Sequence, residues 1–126
     1  MSEILDTNVL VRFLVGDVPA QKKRAEHWFA EGEKAKRNIV VSTLVVAETA
    51  FVLESFYKKS RREIAEALEI FLSQRWLEIP EREVLLSALN VYKQKQHFVD
   101  CYLLSWSQTN HSGILTFDKK LKKQVD

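Results

Sequence analysis

A single cysteine, Cys101, rules out an internal disulfide and leaves no second thiol for a zinc cluster. The chain is therefore expected to be intracellular and redox-indifferent. Only three glycines occur in 126 residues, too few and too scattered for a glycine-rich phosphate loop. There are two prolines, and no linker, repeat or low-complexity segment interrupts the chain. No uncharged apolar stretch approaches the roughly 20 residues that a membrane span needs. The opening Met1-Ser2-Glu3-Ile4-Leu5-Asp6 has neither the basic region nor the apolar run of a signal peptide, so a soluble, cytoplasmic protein is expected. Charge of one sign is also scarce: the formal net charge of +2 does not announce a nucleic-acid partner by itself. What is present, 46% hydrophobic and 29% charged residues over 126 positions, is the make-up of one globular domain spanning residues 1–126.

Hydrophobic periodicity orders that domain. Ile4-Leu5 reads as a short buried strand ending at Asp6, and Asn8 to Val15 as a helix halted by Gly16-Asp17 and Pro19. Ala25, Trp28, Phe29 and Ala35 follow helical spacing, and Asn38-Ile39-Val40-Val41 reads as a second strand. Ser42 is a natural N-cap for a helix from Thr43 to about Phe56, apolar nearly all round and so expected to be central or at an interface. Ser60-Arg61-Arg62-Glu63 matches a capping box that opens the next helix. Trp76 to Ile79 looks like a third strand, Val84 to Tyr92 and Phe98 to Ser107 like two helices, and Gly113 to Thr116 like a fourth strand before a Lys-rich terminal helix. Alternating strands and helices imply an α/β protein, an α/β/α sandwich with a short central parallel sheet. Sites on such sheets form beyond the carboxyl ends of strands, where Asp6 and Asp118 would fall.

Four carboxylates sit in apolar stretches: Asp6, Glu48, Asp100 and Asp118. An ionised carboxylate buried alone costs several kcal/mol, so it neutralises, pairs or binds metal. No Lys or Arg neighbours Asp6, Glu48 or Asp100 in sequence, which points to a divalent cation as the missing charge. Each acid also has a plainer reading. Asp6 and Asp118 could cap the helices that follow them, and Glu48 or Asp100 could be a buried neutral acid. The chemistry that uses all four is phosphodiester hydrolysis with Mg²⁺ or Mn²⁺, which prefer hard oxygen ligands and activate water. Acid-nucleophile phosphatases pair two aspartates at the first strand, whereas Asp6-Thr7-Asn8 offers an amide. Receiver-type domains need adjacent acids there, and His27, His97 and His111 lack the spacing of a zinc helix.

Asp6-Thr7-Asn8-Val9-Leu10, Glu48 after an apolar helical turn, Phe98-Val99-Asp100 and Thr116-Phe117-Asp118, in that order over essentially the whole chain, resemble the PIN-domain ribonucleases. The size and the Asp-Thr-Asn opening are most similar to the VapC toxins of VapBC toxin–antitoxin pairs. The resemblance implies an Mg²⁺- or Mn²⁺-dependent endoribonuclease whose acidic site is Asp6, Glu48, Asp100 and Asp118. Thr7, Asn8 and Thr116 match polar positions expected to orient those ligands. It also implies an RNA substrate, a homodimer and a cognate antitoxin that masks the site. Two features depart from the family pattern: His97 stands where many relatives carry an acid, and the sequence stops at Asp126, before a last short strand.

Two cationic runs remain. Lys119, Lys120, Lys122 and Lys123 follow Asp118 directly and could hold an RNA backbone, while Lys58-Lys59-Ser60-Arg61-Arg62 is expected to face solvent. Trp28, Trp76 and Trp106 are expected in the core rather than stacked on bases. A PIN-type RNA-processing nuclease without an antitoxin, and a non-catalytic PIN-like binding module, are the competing readings. Retention of all four acids weighs against the second.

Overall fold

The computed structural model describes residues 1–94 and 96–125. In chain order these form β1 (Ser2–Ile4), α1 (Thr7–Val15), α2 (Pro19–Glu33), β2 (Asn38–Val40), α3 (Thr43–Ser55), α4 (Arg61–Leu72), α5 (Arg82–Tyr92), α6 (Phe98–Asn110) and α7 (Lys119–Val125). β1 and β2 run parallel, with Ser2 opposite Asn38 and Ile4 opposite Val40. The α/β/α arrangement expected from the alternation of elements is present, with the expected helices and a smaller sheet than the sequence suggests.

Helix boundaries follow local chemistry. Gly16 closes α1 at φ 74°, a left-handed conformation that glycine adopts without strain, and its N–H bonds the carbonyl of Arg12. Pro19 opens α2 in the first turn, where its missing N–H costs no hydrogen bond. The capping box at α4 is complete: Ser60 accepts from Glu63 N, and the Glu63 side chain returns to Ser60 N.

The sheet corrects three expectations. β1 ends at Ile4, which is 70% exposed, so only Leu5 of the expected buried pair is covered. The third strand shrinks to one residue: Glu78 bridges Val40, its N–H bonding the carbonyl of Ile39 at 2.9 Å and its carbonyl accepting from Val41 N at 2.9 Å. The fourth strand, Gly113 to Thr116, is not formed. His111 closes α6 in the left-handed region at φ 51°, and Ser112 N returns to the carbonyl of Ser107 at 2.9 Å. The chain then runs on without a ladder partner, and a strand exists only through its ladder. Ile114 and Thr116 are half-buried while Leu115 and Phe117 stand fully in solvent. Replacing Leu115 and Phe117 by Ser is therefore expected to change stability by no more than about 0.5 kcal/mol in a denaturant titration. A loss above about 2 kcal/mol would show that this segment packs in solution as the strand its sequence resembles.

The core lies among the helices: Leu10 of α1, Phe29 of α2, Val46 and Ala50 of α3, Leu68 of α4, Leu85 and Leu89 of α5, and Cys101 of α6 are buried. Gly32 lets the Trp76 ring approach α2, since a β-carbon there would lie 2.7 Å from that ring. α3 is buried on one face only: Val46, Ala50 and Leu53 enter the core, while Leu44 and Phe51 are 82% and 67% exposed. Of the tryptophans, Trp76 is half-buried and packs against the core, whereas Trp28 is half-buried outside it and Trp106 is exposed. No described helix is long and apolar enough to cross a membrane.

Candidate active site

α1 and α3 both begin just past the carboxyl ends of the paired strands. Asp6 occupies the N-cap of α1, yet its carboxylate makes no capping hydrogen bond. Ser42 does cap α3, accepting from Val45 N at 3.3 Å. Asp118 does the same for α7, its Oδ1 accepting from Lys120 N at 2.9 Å and Leu121 N at 3.1 Å. The capping role is thus filled by Asp118 and not by the Asp6 carboxylate.

Glu48 projects from α3 between Leu44 and Phe51. Thr7, the first residue of α1, donates its hydroxyl to Glu48 Oε1 at 2.5 Å. That bond crosses 41 positions of sequence and draws Glu48 beside the helix end that starts at Asp6. Asp100 is half-buried in the first turn of α6, where an acid is favoured by the exposed N–H groups of the helix terminus. Asn8 is exposed on α1, and His97 is the N-cap residue of α6 without a side-chain capping bond. Thr116 Oγ1 accepts from Asp118 N at 3.0 Å, so it shapes the turn before α7 rather than touching a carboxylate.

Two ties position the helices that carry Glu48 and Asp100. Glu81 accepts from Thr43 at the start of α3 and from the Tyr102 hydroxyl of α6, the latter at 2.7 Å. Burial, with the Glu81 bond second, pushes the Tyr102 phenol up to about 12, so it stays a donor. Glu54 accepts from Tyr92 and pairs with Arg61 at 3.3 Å, and Arg61 also donates to the carbonyl of Gln96 just before α6. The hydrogen bond from Tyr92, reinforced by Arg61 against partial burial, holds the Glu54 carboxyl below its ordinary value. Arg61 is therefore a structural clasp, also stacked on Tyr92 at 5.1 Å. Lys58, Lys59 and Arg62 of the same run face solvent as expected. Apart from Glu54–Arg61, seven residues apart, these ties escape a sequence reading, since their members are 21 to 38 residues apart.

Cys101 is fully buried beside Asp100, and burial raises its thiol to about 11, which leaves it protonated and unsuited to nucleophilic work. Lys119, Lys120, Lys122 and Lys123 are all exposed on α7, which is anchored by Leu121.

The apolar sequence context of the acids does not bury them. Asp6, Glu48 and Asp118 are exposed and Asp100 is half-buried, and beside Glu48 the apolar Leu44 and Phe51 are themselves on the surface. Water can carry their charge, so burial does not compel a cation. Among the described residues none of the four pairs with a Lys or Arg within 4.0 Å. Nor do any three His, Cys, Asp or Glu side chains stand together as a metal-holding group among those residues. The structure joins Glu48 to the α1 terminus through Thr7 and leaves Asp118 engaged at α7.

A short parallel sheet wrapped by helices, with uncapped Asp6 past one strand end and Glu48 tied in from the helix past the other, defines an acid-bearing α/β/α domain. Residues 4–125 match the PIN domain family, and the chain belongs to it. It is also similar to the VapC ribonuclease of Aquifex aeolicus (strain VF5), at 28% identity over 125 residues, covering 96% of this chain and 90% of that protein. No solved structure matches.

Proposed function

We propose that this protein is a divalent-metal-dependent endoribonuclease acting as the toxin of a toxin–antitoxin pair. The observation that carries the reading is the uncapped Asp6 carboxylate beside the Thr7–Glu48 bond, in a PIN-family chain similar to a VapC ribonuclease. The donor chemistry fits Mg²⁺ or Mn²⁺: carboxylate oxygens only, with Asp6 not engaged by its own helix. Asp6 and Asp100 would hold the ion, with Glu48 and Asp118 assisting directly or through water. Such an ion supplies an activated water at neutral pH and offsets charge on the phosphate.

The chain's own part is positional. Thr7 fixes the rotation of Glu48, so this carboxylate can orient a water and take up its proton as the water oxygen bonds phosphorus and the P–O bond to the leaving RNA fragment breaks, the released oxygen taking its proton from solvent. The same reading gives the protein a cytoplasmic location, a homodimeric state and an antitoxin that covers the acids. Incubation of single-stranded or looped RNA with Mg²⁺ or Mn²⁺ tests it, with cleavage expected and a chelator expected to stop it. The alternative is a non-catalytic PIN-like binding module. RNA bound but left intact under both ions would establish that alternative.

The α7 lysines give a separate expectation. Successive residues turn by about 100° on a helix, so Lys119, Lys120, Lys122 and Lys123 cannot share one face around buried Leu121. One or two of them are expected to meet RNA phosphates. Changing all four to Gln should flatten the log–log salt dependence of single-strand binding by about 0.7 to 1.4. An unchanged slope would assign them to solvent or to the antitoxin.

A further inference from the structure

We propose that the cleft between α1 and α2, walled by Arg24 and Trp28, holds a nucleobase of single-stranded RNA on its way to the acidic site. The proposal rests on the ribonuclease reading above and names a substrate subsite within it. Trp28 is half-buried, and the Arg24 guanidinium lies 5.1 Å over its ring centroid. With Asn8, Val9, Arg12 and Gln21 these two side chains enclose about 160 Å³. A second cleft of about 260 Å³ shares Val9 and Trp28 with the first and reaches Asp6. The two clefts adjoin at Val9 and Trp28, with Arg24 lining the first and Asp6 the second.

Charge across the two clefts is sorted in the same order. Arg12 is offset by Asp17 at 3.0 Å, and Glu3 by Arg37 at 2.7 Å. Of the charged residues lining the two clefts, Asp6 and Arg24 alone lack an opposite charge within 4.0 Å among the described residues. An acidic peptide would satisfy Arg24 and be repelled by Asp6. RNA suits both ends: one phosphate pairs with Arg24, and another meets Asp6 through the divalent ion. Between them a base stacks on the Trp28–Arg24 platform, since unpaired bases stack on aromatic rings and guanidinium planes alike. Gln21 is held by Arg12 Nε donating to its Oε1 at 3.1 Å, which directs its NH₂ as a donor, and Asn8 adds a second amide at the cleft wall. These groups give the subsite a means of reading a base edge.

The test uses the full chain carrying Asp6→Asn, which holds cleavage off, and a fluorescent six-nucleotide uridine RNA with an abasic counterpart. Adding Trp28→Ala should weaken binding of the intact RNA on the order of tenfold and leave the abasic RNA nearly unaffected. Trp28→Phe keeps a ring and should stay within about threefold of its parent. Arg24 is exposed, so Arg24→Gln preserves the fold; it should weaken both RNAs and flatten the salt dependence by about 0.7. Intact-RNA binding unchanged by both Trp28→Ala and Arg24→Gln would overturn the proposal and give the cleft to a protein partner. Equal losses on intact and abasic RNA with Trp28→Ala would also overturn it, because no base would then be stacking. Cleavage by the wild-type chain, measured alongside, keeps the two readings apart. RNA cut normally with an insensitive cleft removes the subsite alone, whereas no cutting and no binding removes both.

Discussion

Asp6→Asn is expected to lower metal-dependent RNA cleavage by about a thousandfold while leaving the fold intact. The substitution keeps the shape of the side chain and removes its charge. Because Asp6 makes no capping bond, α1 loses no helix-terminal contact with the change. A metal at a phosphoryl centre is worth several kcal/mol of transition-state stabilisation. Loss of about 4 kcal/mol corresponds to about a thousandfold in rate. The measurement is single-turnover cleavage of a labelled RNA beside a thermal melt of the same sample. Undiminished cleavage with an unchanged melt would move the chemistry away from Asp6. The same substitution at Asp118 should act partly through structure, since its Oδ1 caps α7.

Mn²⁺ is expected to raise the melting temperature of the wild-type chain and not that of an Asp6→Asn/Asp100→Asn variant. Among the described residues neither acid has a cationic partner, so a bound ion would meet negative charge that only water now solvates. A ligand at about 100 times its dissociation constant stabilises the state it binds by about 2.7 kcal/mol. For a chain of this size that corresponds to roughly 5 to 15 °C. The metal-free variant should melt within a few degrees of wild type, because amide replacements at exposed and half-buried positions are close to neutral. Equal shifts in both proteins would place the ion elsewhere.

The sequence was legible where a signal and its cause lie within a few residues. The capping box at Ser60 and Glu63, the N-cap at Ser42, the stop at Gly16 and the buried stripe of α4 through Ile64, Leu68, Phe71 and Leu72 are local, and each stands where the pattern places it. The order of the four acids was legible in the same way, as a family pattern running along the chain. Their surroundings were not. Glu48 looked buried because its helical neighbours are apolar, but nothing in the sequence says whether Leu44 and Phe51 meet another element, and in the fold they meet solvent. The same error concerns Trp28, which has core-like spacing yet opens onto a cleft beside Arg24.

By itself the sequence determined the helices, the caps at Ser42 and Ser60, the parallel order of the first two strands and membership of the PIN domain family, since these depend on periodicity, on neighbours one to four residues away and on motif order. Only the tertiary structure decided which distant side chains meet and which strands find partners. Thr7 reaches Glu48 across 41 residues, Glu81 joins α3 to α6, and Gly113 to Thr116 stays unpaired despite its strand-like residues. Hydrogen-bond partners of that kind are fixed by how whole helices pack, and a ladder needs a second strand that no local pattern can supply.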